Sequence, residues 1–333
     1  MDKKTADPNF LKTSKTDTLK FKSGIRAIFQ DSKDGYWLGS YNEGLCHYNG
    51  KTFEYFTTRD GLLDNQIRSI QEDDNGTIWI ETSRGVNSYN KGKLMSYSTE
   101  YDTPKTKWNT TRGDLWFYAG EEGGIYRYDG MHMNYLILPK PPQNTLNKSF
   151  GVSGISKGND GTVWIATYSA LFNYDGNVTN LFDHNNLKLK DNEVLHIRSV
   201  LADSKDRIWI GNNGIGVLLK NGESTTSFSK EQGKLIPINE FNANTKTQQF
   251  TNNTGLQSVF AIEEDGEGNI WFGDRDSGAW KYDGKSLVNY TVDDKLSTPM
   301  IWTIYNDNHN NVLFGMAAGG VYKFNGKSFD KRF

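Results

Sequence analysis

Residues 67–97 read IRSIQEDDNGTIWIETSRGVNSYNKGKLMSY. Four short runs rich in β-branched and aromatic residues are separated by turn chemistry. The runs are Ile67–Glu72, Thr77–Glu81, Val86–Tyr89 and Leu94–Tyr97. Asp73-Asp74-Asn75-Gly76, Arg84-Gly85 and Asn90-Lys91-Gly92 lie between them, and Asn, Asp and Gly tolerate the backbone angles that tight turns need. Strand-forming runs bounded in this way predict an antiparallel meander of four strands.

The same pattern recurs along the chain. A Trp follows a Gly/Asn-type turn at Trp37, Trp79, Trp116, Trp164, Trp209 and Trp271, and Leu313 takes the seventh slot. The anchors are 42, 37, 48, 45, 62 and 42 residues apart. A small residue opens the third strand each time: Gly44, Gly85, Gly124, Ala170, Gly216, Gly278 and Gly320. Four residues on comes an aromatic (Tyr48, Tyr89, Tyr128, Tyr174, Tyr282, Phe324), except at Lys220. Four-stranded units repeating about every forty residues predict a β-propeller, here an all-β, seven-bladed ring. Although 333 residues would ordinarily suggest two domains, the repeat assigns 19–333 to one ring and 1–18, rich in Lys, Thr and Asp, to a tether. Unit three has the weakest first strand, at Lys105–Asn109. Unit seven stops short where its fourth strand belongs, so the ring is expected to close from either end, with Leu19–Lys22 as a candidate strand.

Aromatic content of 13% suits blades packed face to face, and a net charge of −2 does not favour a phosphate-backbone binder. The single cysteine, Cys46, excludes an intrachain disulfide and reads as a small residue on a blade. No apolar run reaches the roughly 18 residues of a membrane helix. The start, MDKKTADPNF, lacks the apolar core of a signal peptide.

Candidate site residues come from the start of each first strand. The residue after the leading Ile or Val is Arg26, Arg68, Lys105, Ser153, Arg198, Phe260 and Trp302. First strands line a propeller's channel, so four cations and two aromatics are expected around one mouth. Like charges gathered there repel, and a carboxylate or sulfate ligand relieves the repulsion through paired Arg hydrogen bonds. The competing reading pairs these arginines with Asp64, Glu72 or Glu193. Tyr41, Tyr168 and Arg275, in the turns between second and third strands, add polar groups to the same rim, as do Asn42, Glu43, Ser83, Arg84, Glu121, Glu122, Asn212, Asn213, Asp274 and Asp276. Trp108, Trp280 and Trp302 stand outside the Trp column and are expected to be freer for ligand. The long connections, above all Ser229–Ser258, are expected to enlarge this face.

The Asp/Asn/Gly turns superficially resemble calcium loops but lack the full ligand set, and hairpin turns explain them. The Trp column reads as packing between blades. Of the five histidines, His47, His132, His184, His196 and His309, two share one connection with Glu193, and His184, Glu193 and His196 are candidates for acid–base or metal chemistry. No cofactor, metal site, nucleotide loop or nucleophile elbow is indicated.

DNGTIWIETSRGVNSYN, DGTVWIATYSALFNYDG and RDGLLDNQIRSI resemble two-component-regulator propeller repeats over roughly residues 24–330. Such repeats build seven-bladed extracytoplasmic sensor domains of hybrid histidine kinases, mainly in Bacteroidetes. The resemblance implies a periplasmic or cell-surface sensor-type domain that takes a polar, carbohydrate-derived or anionic ligand. It offers no catalytic residues to carry over. The alternatives are a metal-assisted lyase or hydrolase of propeller type and a scaffold that binds protein partners on its rim.

Overall fold

A computed structural model describes residues 15–97, 110–111, 113–118, 123–140, 150–231, 236–237, 255–292 and 296–333. The seven blades are antiparallel meanders in chain order. Blade one comprises Ile25–Gln30, Tyr36–Ser40, Leu45–Tyr48 and Phe53–Phe56. Blade two comprises Ile67–Glu72, Ile78–Thr82, Gly85–Asn90 and Lys93–Tyr97, within a residue or two of the runs read from the sequence. In blade three the described strands are Leu115–Tyr118, Gly124–Tyr128 and Met133–Ile137. Its expected first strand, with Lys105 and Trp108, lies outside the described residues. Blades four to seven begin with Val152–Lys157, Ile197–Ala202, Val259–Glu264 and Ile301–Asn306.

The core is divided among the seams. Each of the seven buried apolar clusters joins one blade to the next. Two columns of the sequence meet there. The Trp of one blade packs on the third-strand aromatic of the following blade: Trp37 on Tyr89 (5.2 Å between ring centroids), Trp79 on Tyr128 (4.0 Å) and Trp271 on Phe324 (4.8 Å). Where Lys220 interrupts the aromatic column, Trp164 packs on Phe182 of its own blade at 5.7 Å.

The Asp turns orient these indoles. Asp31 accepts the Lys33 and Gly35 backbone N–H groups and the Trp37 indole N–H, and Asp73, Asp203 and Asp265 repeat the arrangement. In blade seven Leu313 has no N–H to offer, and the Tyr36 hydroxyl of blade one donates to Asp307 instead, at 2.7 Å. On the same end of the ring, the last residue of a first strand clasps the preceding blade. Glu72 takes the Ser32 N–H, Glu264 the Ser204 N–H, and Gln30 the Asn308 N–H across the closing seam.

Blade seven is completed by its own short fourth strand, Phe329–Lys331. Leu19–Lys22 is not a strand. Thr16 bridges to Phe53 on the outer edge of blade one, and Phe21 packs on Tyr55. From the connection before blade six, Ile236–Pro237 pairs in parallel with that blade's outer strand, which places these two residues on its outer edge.

Candidate functional site

All six described first strands carry a β-bulge at the same place, between their first and third residues. The extra residue, the one with no partner on the second strand, is Arg26, Arg68, Ser153, Arg198, Phe260 or Trp302. A bulge re-aims a side chain. Six repeats of it turn the column that the sequence singled out toward one end of the channel.

A second repeated device brings the turn residues alongside. The first residue after each second strand donates its backbone N–H to the carbonyl just before the first strand: Tyr41 to Gly24, Ser83 to Gln66, Tyr168 to Gly151, Asn213 to His196, Arg275 to Ser258 and Ala317 to Met300, at 2.8–3.1 Å. Tyr41 and Tyr168 therefore stand beside the arginines. The Arg26 guanidinium lies 5.6 Å from the Tyr41 ring centroid and 5.5 Å from that of Trp302, and the two rings are 5.1 Å apart. Gly24 is required here, because the Trp302 ring occupies the place of a Cβ. Across the mouth, Arg198 lies 4.3 Å from the Phe260 ring and 5.2 Å from Tyr168. Cation–π contact orients these guanidiniums without neutralising them. Burial lowers the Arg26 pKa, and the charges of Arg68 and Arg198 lower it further, so the three cations share one field.

The competing pairings are not formed at Asp64 or Glu72. Asp64 pairs with Arg84 at 3.3 Å, and Glu72 holds the Ser32 turn. Glu193 accepts the Lys190 N–H of its own turn. Among the described residues, Arg26, Arg68 and Arg198 have no ion pair. Arg275 differs. It is bound to Asp276 and, at 3.1 Å, to the Asn213 amide oxygen, so it belongs to the outer rim and is already neutralised. It connects inward through Asn213, His196 and Tyr168 to Arg198. Lys105, Glu121 and Glu122 lie outside the described residues. Trp280 is 0% exposed and donates to Ser277 Oγ, so it is core and not a ligand platform, contrary to expectation.

His184, Glu193 and His196 are not gathered into one centre. His184 Nε2 meets the Lys190 carbonyl, while His196 packs edge-on to Tyr168, and burial lowers its pKa. No group of three metal-ligating side chains occurs among the described residues. Cys46 is fully buried, which pushes its thiol pKa up.

Two acids escaped the sequence reading. Glu81 is 0% exposed, accepts the Ser69 hydroxyl at 2.7 Å, and has its pKa raised to about 7 by burial. It stands where the corresponding strand of five other blades has Gly39, Ala166, Gly211, Gly273 or Gly315, and aligning the repeats on their second strands exposes that exception. Glu263 lines the channel below Phe260, and burial raises its pKa to about 8.

Residues 61–83 match the family model for the two component regulator propeller. No curated protein matches the chain by sequence. Among solved structures, virginiamycin B lyase from Staphylococcus aureus aligns with a TM-score of 0.67 at 16% identity, over 94% of this chain and 98% of that one. A B. thetaiotaomicron protein described as the extracellular domain of a hybrid two component system aligns with a TM-score of 0.67 at 19% identity, over 93% of this chain and 40% of that one. A second B. thetaiotaomicron extracellular domain, described as part of a one component system, gives 0.63 at 20% identity, over 94% and 40%. At these identities the likeness establishes the fold, and this chain spans 40% of the length of those two extracellular domains. The chain thus resembles two-component-regulator propeller proteins, through the match at residues 61–83 and through a ring of seven blades.

Proposed function

We propose that this propeller is a sensor-type binding domain, exported to the periplasm or cell surface, that takes a polar, carbohydrate-derived or anionic ligand at the bulge-lined mouth. The observation that carries the reading is the convergence of Arg26, Arg68 and Arg198. They lie close enough to depress the pKa of Arg26 together, and none has an ion pair among the described residues. An anion placed between them offsets their mutual repulsion. Trp302 and Tyr41 beside Arg26, and Phe260 and Tyr168 beside Arg198, offer flat apolar surface that suits a sugar ring carrying an acidic group. The resemblance to extracellular domains of two component systems supports the sensor role and the location.

The lyase or hydrolase reading has less support, because no group of three metal-ligating side chains occurs among the described residues and His184 meets the Lys190 carbonyl of its own connection. The test is thermal melting with a panel of sulfated, carboxylated and neutral oligosaccharides. A ligand that binds only the folded ring at a hundred times its Kd adds about 2.7 kcal/mol of stability. An acidic member of the panel is expected to raise the melting temperature, and Arg68→Ala and Arg198→Ala to abolish that rise while the unliganded ring still melts cooperatively. A rise that survives both substitutions removes the mouth as the site. A tight protein complex without small-molecule stabilisation points to the scaffold instead.

A further inference from the structure

The fifth residue of each described first strand lines the channel below the mouth: Phe29, Gln71, Ser156, Leu201, Glu263 and Tyr305, all half-buried. Three of the polar members are already bonded. The Gln71 amide donates to the Trp116 carbonyl, Ser156 Oγ accepts the Ala202 N–H, and the Tyr305 hydroxyl accepts the Gln30 N–H. Glu263 is the only ionisable carboxyl at this level among the described residues, and no cation there is paired with it.

The groups that bear on Glu263 leave it short of positive charge. The Glu264 backbone N–H favours its ionised form, while the Glu264 carboxylate opposes it. That neighbour is itself held by Ser204, and Tyr305 on the adjacent blade adds no positive charge. A carboxylate enclosed without a partner is costly, so the group keeps its proton. A metal ion is a poor candidate for the missing charge, because hard cations demand roughly six to eight oxygens and one carboxyl stands here. A ligand ammonium needs only one. Glu263 also lies three residues along the strand from Phe260, about 10 Å at strand rise, and Phe260 is the ring against which Arg198 lies.

Building on the anionic-ligand reading of the mouth, we propose that Glu263 recognises an ammonium group deeper in the same channel. The ligand class is then an amino sugar with a free amine and an acidic substituent, the acid at Arg198 and Arg26 and the amine toward Glu263. Binding ionises Glu263, and its proton leaves to solvent as the ammonium takes its place.

The test uses two sugars that differ only at the amine, glucosamine 6-sulfate and N-acetylglucosamine 6-sulfate, titrated calorimetrically into the full chain at pH 7 in buffers of different ionisation enthalpy. The free amine is expected to bind at least tenfold more tightly, with net proton release. Glu263→Gln is expected to erase both the preference and the release. Equal binding of the two sugars by the wild-type ring overturns the ammonium position and leaves the arginine mouth standing. A preference that persists in Glu263→Gln does the same. Failure of both sugars to bind at millimolar concentration overturns the mouth reading and this inference together. Because the wild-type comparison stands alone, the outcome does not depend on the variant folding.

Discussion

Glu81 is a charge-bearing side chain set into a seam at a position where five of the other six blades have glycine or alanine and blade three has Tyr118. Burial dominates its titration, raising its pKa from 4.5 to about 7. The Ser69 hydroxyl and the fields of Arg68 and Arg26 only partly counter it. The sign of the pH dependence follows. Below pH 4.5 the carboxyl is protonated in both folded and unfolded chains and contributes no slope. Between pH 4.5 and 7 the unfolded chain gives up the proton and the folded chain keeps it, so stability falls as pH rises. Above pH 7 the loss is complete, on the order of 3 kcal/mol for a shift of this size. Glu81→Gln is therefore expected to flatten the urea-denaturation free energy over pH 4.5–7 by that amount, measured at matched ionic strength. An unchanged profile would place the carboxyl in a wetter setting. The second-position arginines were legible because they form a column in the repeats. Glu81 was not, since its meaning lies in departing from a column of small residues whose purpose appears only when the next blade is docked against it.

At the scale of the strand, the repeated feature is the bulge. The sequence shows which residue is second in each first strand. It does not show that this residue is unpaired, because a bulge is a property of two strands together. The strand boundaries were readable because turn residues act locally, and the identity of the Trp–aromatic seam was readable as two columns. That those columns face each other across successive blades was not, because the contact is made between units. The small residues of the second strands show the same dependence. Gly273 lies against the next blade, with Ile301 Cγ2 2.7 Å from where a Cβ would stand, so even a methyl group forces the blades apart. Gly273→Ala is expected to lower stability by about 1–3 kcal/mol without changing the number of blades. Chemical denaturation measures the loss, and a neutral result would mean that the seam yields more readily than a close-packed interior does.

For the ring as a whole, closure is decided at the seam between blades seven and one, and that seam departs from the others in a compensated way. Leu313 replaces the indole, removing a large ring and an N–H at once. Both losses are made up from elsewhere in the chain. The Tyr36 hydroxyl supplies the hydrogen bond to Asp307, and Phe333 supplies the ring. Phe333 stands 5.1 Å from Tyr48, the third-strand aromatic that a seventh Trp would be expected to meet, and 5.5 and 5.6 Å from Tyr36 and Phe53. Its backbone carbonyl and N–H both bond to Val321, which fixes the segment along blade seven. Reading the sequence left closure open to either end, because a missing Trp and a short last strand look like a defect until the aromatic at 333 is seen in place. If Phe333 acts as the substitute for the indole, Phe333→Ala should destabilise the ring by about 1–3 kcal/mol, below the roughly 3–5 kcal/mol of a fully enclosed Phe because this one is half-buried. Adding Leu313→Trp to that variant should then recover part of the loss, although the same substitution in the wild-type ring overfills the seam and costs stability. That opposite sign in the two backgrounds, read as the coupling energy of a double-mutant cycle, separates substitution of one ring for another from two unrelated packing contacts, for which the effects would simply add.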